Sequence, residues 1–170
     1  MTIKIGINGL GRIGRMVIRS IEEKKNKKIQ IMHINNRTDL KNCSQLLRYD
    51  SVHGKFNANI KYNDKYLIVN NKKISYSRET ELDEINWKKY NVDIVLECTG
   101  KYNSKEKSLQ HIKNGAKKVI VSAPCKNADK TIVYGVNHTT ISKNDLVISA
   151  ASCTTNCLAP VAYILNKKFK

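Results

Sequence analysis

Ile3 to Asn8 alternates apolar residues tightly around Lys4 and ends at Gly9, the pattern of a buried strand. Arg12 to Lys25 then places Ile13, Val17, Ile18 and Ile21 at helical spacing, and Ile29 to Ile34 is apolar and β-leaning again. Strand, glycine turn, helix and strand make a βαβ unit, with parallel strands and a right-handed crossover. Such a unit predicts a doubly wound sheet.

The middle of the chain reads differently. Ile60 to Tyr62, Lys65 to Val69 and Lys73 to Tyr76 are short β-rich pieces separated by Asn63-Asp64 and Asn70-Asn71, which predict hairpin turns and an antiparallel excursion. Alternation resumes with a strand at Val92 to Glu97, a helix near Ser104 to Asn114 ending at Gly115, and strands at Lys118 to Ser122, Thr131 to Tyr134 and Leu146 to Ala150. Ala151 to Thr154 is expected as a turn and Asn156 onward as a helix. Its apolar stretch, Leu158 to Leu165, is one that a complete domain covers with something packed against it.

The chain has 170 residues, 41% hydrophobic and 26% charged, with two prolines and eight glycines, so a folded domain with a proper core is expected and a low-complexity chain is excluded. Lys and Arg number 31 against 14 Asp and Glu, a net charge of +17 that invites nucleic acid or an anionic membrane as partner. The lysines come as scattered pairs such as Lys24-Lys25 and Lys117-Lys118, without the aromatic interleaving of a base-stacking surface. A compositional drift toward Lys, Asn and Ile accounts for the charge at least as well, and nucleic acid is not the expected partner. No apolar run approaches the ~20 residues that cross a bilayer, so no membrane partner is expected either. The five cysteines are an odd count without any C-x-x-C pair, and the four histidines lie far from any cysteine pair, so neither a disulfide framework nor a metal site is expected. No signal-like stretch follows the start, and a reducing, cytoplasmic location fits.

Two constellations carry chemistry. Gly9, Gly11 and Gly14 fit G-x-G-x-x-G directly after a predicted strand and opening a predicted helix, the context that turns a weak pattern into a Rossmann-type dinucleotide fingerprint. The carboxylate expected about 20 residues on, where it would bond the adenosine ribose, is replaced by Asn36, followed by Arg37. Asn36 can bond a ribose hydroxyl without repelling a 2′-phosphate, and Arg37 can pair with one, so NADP stands beside NAD as a possible cofactor. The competing reading leaves Arg37 in solvent and lets Asp39 or water compensate. In the second constellation Cys153 lies at a predicted helix start among Ser152, Thr154 and Thr155. There the helix dipole and free N–H groups favour the nucleophilic thiolate, and the hydroxyls can hold anionic substrate groups. Cys157, one helical turn later, is expected to be buried and inert.

The runs Ile7 to Arg15, Leu46 to Gly54, Glu97 to Gly100, Ser122 to Pro124, Tyr134 to His138 and Ser152 to Pro160 closely resemble phosphorylating glyceraldehyde-3-phosphate dehydrogenases, in the family's order. The Ser-Cys-Thr-Thr-Asn-Cys-Leu-Ala-Pro string is shared mainly with the sister erythrose-4-phosphate dehydrogenases. The resemblance implies that glyceraldehyde 3-phosphate is oxidised to 1,3-bisphosphoglycerate with NAD(P) and inorganic phosphate through a thioester on Cys153, in a homotetramer. It implies substrate or phosphate contacts from Ser152 and Thr154. For the cofactor it implies contacts from Asn8, the three glycines, Arg12, Ile13, Asn36, Arg78, Thr99, Gly100 and Ser122. It also implies an α/β fold divided into a dinucleotide-binding Rossmann domain at 1–152 and, at 153–170, the start of an α+β substrate domain largely absent from the chain. Family members are roughly twice as long, and none of His33, His53, His111 and His138 matches the histidine that activates the thiol, so the chain alone is expected to be inactive, a dinucleotide-binding fragment.

Overall fold

The structure, a computed structural model, describes residues 2–169. β1 (Ile3–Asn8), α1 (Arg12–Glu23) and β2 (Ile29–Asn35) form the opening βαβ unit, and β1 and β2 pair in parallel. In α1, Gly14, Ile18 and Ile21 share the buried face, with Arg19 buried beside them, while Arg12 and Ser20 stay outside. β2 carries one extra residue, Met32, between the Ile5–Ile31 and Gly6–His33 pairs.

Next comes α2 (Leu40–Arg48), which the periodicity did not announce. Asp39 starts it, its carboxylate accepting from the Asn42 N–H at 2.9 Å, and Leu40, Cys43 and Leu47 form its buried stripe. β3 (Tyr49–Asp50) and β4 (Gly54–Lys55) make a separate hairpin. The buried Arg19 donates to the carbonyls of Leu47, Arg48 and Gly54, so one side chain closes the end of α2 and ties the hairpin to α1.

β5 (Ile60–Tyr62), β6 (Tyr66–Val69) and β7 (Lys72–Ser77) are the antiparallel excursion, with both residues of the Asn70-Asn71 turn in the left-handed region that a two-residue hairpin requires. β7 then pairs in parallel with β2, so the excursion extends the main sheet. β8 (Ile94–Glu97), α3 (Lys105–Lys113), β9 (Lys118–Val121), β10 (Lys130–Thr131), β11 (Val147–Ser149) and α4 (Cys153–Phe169) complete the chain. Nine strands stand in the order β10-β11-β9-β8-β1-β2-β7-β6-β5, parallel from β10 to β7. This is a Rossmann-type α/β fold. From β1 the chain moves first to β2 on one side and later to β8 on the other, which puts the switch-point crevice at the carboxyl ends of these three strands.

On one face Ile5, Ile7, Ile31 and Ile34 pack with Ile18 of α1 and Leu47 of α2. On the other, Trp87 is fully buried with Ile85, Val92 and Val95, and its ring lies so close to the sheet that a Cβ on Gly6 would meet it at 2.6 Å.

Three expectations are corrected. The predicted strand Thr131 to Tyr134 stops at Thr131, because the Asn137 side chain accepts from the Val133 N–H at 2.8 Å and donates to the Thr131 carbonyl, closing a turn in place of a ladder. The last helix begins at Cys153 rather than Asn156, because Ser152 caps it, accepting from the Thr155 N–H at 3.0 Å. Cys157 is exposed rather than buried, since α4 buries none of its described residues: Leu158, Val161 and Ile164 are 68%, 54% and 61% exposed. Among the described residues no helix is long and apolar enough to cross a membrane.

Candidate functional site

The three glycines of the first turn differ in what requires them. Gly9 is left-handed at φ +94, and a Cβ there would lie 2.9 Å from the backbone of Cys98 and Thr99. A Cβ on Gly14 would lie 2.3 Å from the Gly9 carbonyl oxygen, so this glycine lets α1 start hard against β1. Gly11 has an ordinary φ of −67 and its Cβ would meet nothing within 4 Å. Nothing in the protein demands glycine there, whereas a ligand brought up to the backbone would. No side chain caps α1 and no acid stands in its first turn, so the positive helix end and its N–H groups are open beside that space. These features fit a pyrophosphate.

The adjoining cleft, about 270 Å³, is lined by six of the residues singled out from sequence, Asn8, Gly9, Gly11, Asn36, Arg37 and Thr99. Glu79 and Thr80 after β7, and Lys101 and Tyr102 after β8, line it as well and were missed. Their only sequence signal is position, at the carboxyl ends of parallel strands. Arg12, Ile13 and Gly14 sit beside the cleft at the start of α1, with the Arg12 guanidinium 3.0 Å from Asp50 of the hairpin. Gly100 turns the loop after β8 at φ +75, and Arg78 Nε donates to the Arg37 carbonyl at 3.0 Å, which puts two exposed guanidinium residues on one rim. Ser122, just past β9, donates its N–H to the Glu97 carbonyl at 3.0 Å.

Asn36 lines the cleft, but its amide is turned into the protein. Oδ1 accepts from the Leu10 N–H at 2.9 Å, and Nδ2 donates to the Tyr76 hydroxyl at 3.2 Å and to Cys43 Sγ at 3.3 Å. The side chain thus fastens the end of β2 to the glycine turn. The Asp39 carboxylate is likewise taken, as the cap of α2.

Below the cleft runs a buried polar row that the strand register sets side by side. Glu97, Asn8, Asn35 and Ser77 are neighbours on β8, β1, β2 and β7. Asn8 Nδ2 donates to Glu97 Oε2 at 2.7 Å, Asn35 Nδ2 donates to Asn8 Oδ1 at 2.9 Å, and Ser77 Oγ donates to Asn35 Oδ1 at 2.8 Å. His33 closes one end between the Ser75 and Ser77 hydroxyls, stacked on Tyr90 at 3.8 Å; burial, and then the charge of Lys89, push its pKa down to about 4. At the other end His111 Nε2 lies 3.0 Å from Glu97 Oε2, and Trp87 Nε1 donates to His111 Nδ1 at 3.0 Å.

The second constellation lies where β11 turns into α4. Ala151 holds a left-handed φ of +59, unusual for a residue with a Cβ. The Ser152 hydroxyl that caps α4 is also 2.9 Å and 2.7 Å from the hydroxyls of Thr154 and Thr155. Cys153 is the first helical residue and is exposed. Burial pushes the other thiols up, Cys98 to about 11 and Cys43 and Cys125 in the same direction, which keeps them protonated. Of the exposed pair, Cys153 stands at the positive end of α4 and Cys157 a turn inside it. His33 and His111 lie in the buried row, and His138 Nδ1 accepts from the Gly135 N–H; among the described residues none is hydrogen-bonded to Cys153. No group of three or more His, Cys, Asp or Glu among the described residues is placed to hold a metal ion.

What this arrangement defines is a class, an α/β domain that carries a dinucleotide across its switch point. Comparison with known proteins narrows it: residues 3–105 match the family described as "Glyceraldehyde 3-phosphate dehydrogenase, NAD binding domain", and the chain belongs to that family. It is 48% identical over 166 residues to the glyceraldehyde-3-phosphate dehydrogenase of Cereibacter sphaeroides, covering 98% of this chain and 49% of the relative. With that of Geobacillus stearothermophilus the identity is 47% over 170 residues, 99% of this chain and 50% of the relative, and with that of Thermotoga maritima 45% over 166 residues, 98% and 50%. The chain spans about half the length of the curated relatives it matches.

Proposed function

We propose that residues 1–152 are the NAD-binding domain and residues 153–170 the nucleophile-bearing start of the catalytic domain of a phosphorylating glyceraldehyde-3-phosphate dehydrogenase. The observation that carries this reading is the exposed Cys153 at the first position of a Ser152-capped helix, in a chain whose other domain elements form a dinucleotide cleft. The thiolate attacks the aldehyde carbon of glyceraldehyde 3-phosphate, and the carbonyl oxygen takes a proton to give a hemithioacetal. NAD, held in the cleft by the glycine turn, would supply the hydride acceptor that a Cys153 hemithioacetal needs, with loss of its hydroxyl proton, to become a thioester. Inorganic phosphate displaces the thiolate, leaving 1,3-bisphosphoglycerate and free Cys153. Ser152 and Thr154 hold substrate or phosphate oxygens, and the Cys153 N–H, free at the helix start, stabilises the oxyanion. Erythrose 4-phosphate is the alternative substrate, and a homotetramer in a reducing cytoplasm is the proposed working form.

The base that takes the thiol proton comes from outside these 170 residues, since among the described residues no histidine is bonded to Cys153. NADP is accepted as well as NAD, because no carboxylate stands at the end of β2 to repel a 2′-phosphate and the exposed Arg37 and Arg78 share the rim there. A competitive titration that finds NADP bound far more weakly than NAD removes this extension. The function itself is tested by following reduced cofactor from glyceraldehyde 3-phosphate, cofactor and phosphate, with the 170-residue chain beside Cys153→Ser. The expected result is dinucleotide binding without turnover. Turnover that the substitution abolishes would place a base within the chain, and loss of dinucleotide binding would overturn the reading as a whole.

A further inference from the structure

Glu97 is buried at 1% exposure, and four donors converge on its carboxylate: Asn8 Nδ2, the Thr99 N–H at 2.7 Å, the Thr99 hydroxyl and His111 Nε2. Four donors are the complement of a carboxylate, not of a carboxylic acid. The charge state of His111 follows from Trp87, whose indole N–H can only donate. It donates to His111 Nδ1, so that nitrogen is the bare acceptor, the proton sits on Nε2 facing Glu97, and the imidazole is neutral. Among the described residues no lysine or arginine forms an ion pair with Glu97. In a chain of net charge +17 this carboxylate is therefore hydrogen-bonded on every side and left without a cation. A buried charge of this kind is costly to keep unless something oppositely charged comes near it.

The fold says what comes near. The end of β2 serves the adenosine half of a dinucleotide, so the other half extends over β8, whose next residues, Cys98 and Thr99, line the cleft directly above Glu97. That half ends in a nicotinamide ring that carries a positive charge when oxidised and none when reduced.

We propose that Glu97 is an electrostatic positioning residue: acting through Thr99 and Asn8 and not by contact, its unpaired buried charge makes the cleft prefer the oxidised, cationic dinucleotide over the reduced, neutral one. Trp87 belongs to the device, because its hydrogen bond holds His111 in the neutral form and stops it from cancelling the charge. This rests on dinucleotide binding in this cleft, and binding as such is read separately from selectivity.

The test uses the full 170-residue chain and measures dissociation constants for NAD, for NADH and for an NAD isostere whose ring is an uncharged benzamide. Quenching of the single tryptophan, Trp87, and calorimetry give the readout. In the unmodified chain the cationic form is expected to bind about tenfold more tightly than the neutral isostere, the scale of one screened charge pair in a partly buried site. Glu97→Gln is expected to remove that ratio while weakening both ligands, and Glu97→Asp to retain it. Equal binding of NAD and isostere by the unmodified chain overturns the proposal whether or not the variants fold. A Glu97→Gln protein that loses affinity for both ligands alike, with its ratio intact, overturns it too and leaves Glu97 a merely structural residue. Failure of all three ligands to bind overturns the dinucleotide reading beneath it.

Discussion

β8 and α4 each lead to a candidate site residue, Thr99 in the loop after one and Cys153 in the first turn of the other, and they are held in opposite ways. β8 lies between β1 and β9, and its last residue, Glu97, is fixed by the buried row and by Trp87 through His111. At its root α4 is held by the Ser152 cap and by Asn156 Nδ2 donating to the carbonyls of Ala150 at 2.8 Å and Ser152 at 2.9 Å. Beyond that turn Leu158, Val161, Tyr163, Ile164 and Leu165 are exposed. The β8 side is thus held by its own packing, whereas Cys153 is positioned by local capping at the start of a helix whose large apolar residues are exposed. An exposed apolar helix of this length is an association hazard.

That contrast can be broken by experiment. The largest effect belongs to Trp87→Ala, which empties the buried indole site and removes the His111 partner; urea unfolding should show a loss of about 3–5 kcal/mol. A loss under about 1 kcal/mol would mean the cofactor side is not held as described. Next comes acid. The pKa of His33 is about 4 in the fold against an ordinary 6.5, so as pH falls the unfolded chain takes up the proton first. The stability contributed is complete above about pH 6.5 and is lost between there and pH 4, up to about 3 kcal/mol, and His33→Gln should flatten that slope in pH-dependent melts. Gly14→Ala drives a Cβ toward the Gly9 carbonyl and should cost about 1–3 kcal/mol, with a matching loss of dinucleotide affinity in calorimetry. The smallest effect is expected in α4: Leu158→Glu with Ile164→Lys should move the melting free energy by no more than about 0.5 kcal/mol while reducing self-association in sedimentation. A large destabilisation there would show that α4 is packed after all.

The opening βαβ unit and the antiparallel excursion of β5 to β7 were legible because glycine, asparagine and apolar period coincide at Gly9 to Gly14 and Asn70-Asn71, whereas the β3–β4 hairpin was not. α2 was not, because Leu40, Cys43 and Leu47 are too few apolar residues to stand out among Asn42, Ser44 and Gln45, and the Asp39 cap carries no weight until the helix is suspected. The glycines and Cys153 announced themselves by spacing. Glu97, Asn35 and Ser77 did not, since a residue at the end of an apolar strand gains its meaning from neighbours on other strands, and register is not written locally. Asn36 illustrates the reverse: its position was foreseen at the cleft, but the direction of its amide depends on Cys43 of the unannounced α2 and on Tyr76, far away in sequence.

The extra residue in β2 has a consequence for how the length of this chain can vary. Because Met32 stands outside the pairing, with Ile5 matched to Ile31 before it and Gly6 to His33 after it, it is the one residue of the strand whose deletion leaves every other partner in place. Such a loss would cost the Met32 carbonyl that accepts from Ser75 Oγ and a half-buried thioether, nothing more of the register. Deleting Asn35, by contrast, would draw Asn36 into its place beside Asn8 and pull the Asn36 amide away from Leu10 and Tyr76. A gap in this strand is therefore tolerable at Met32, and a lineage that shortens β2 there keeps its crevice.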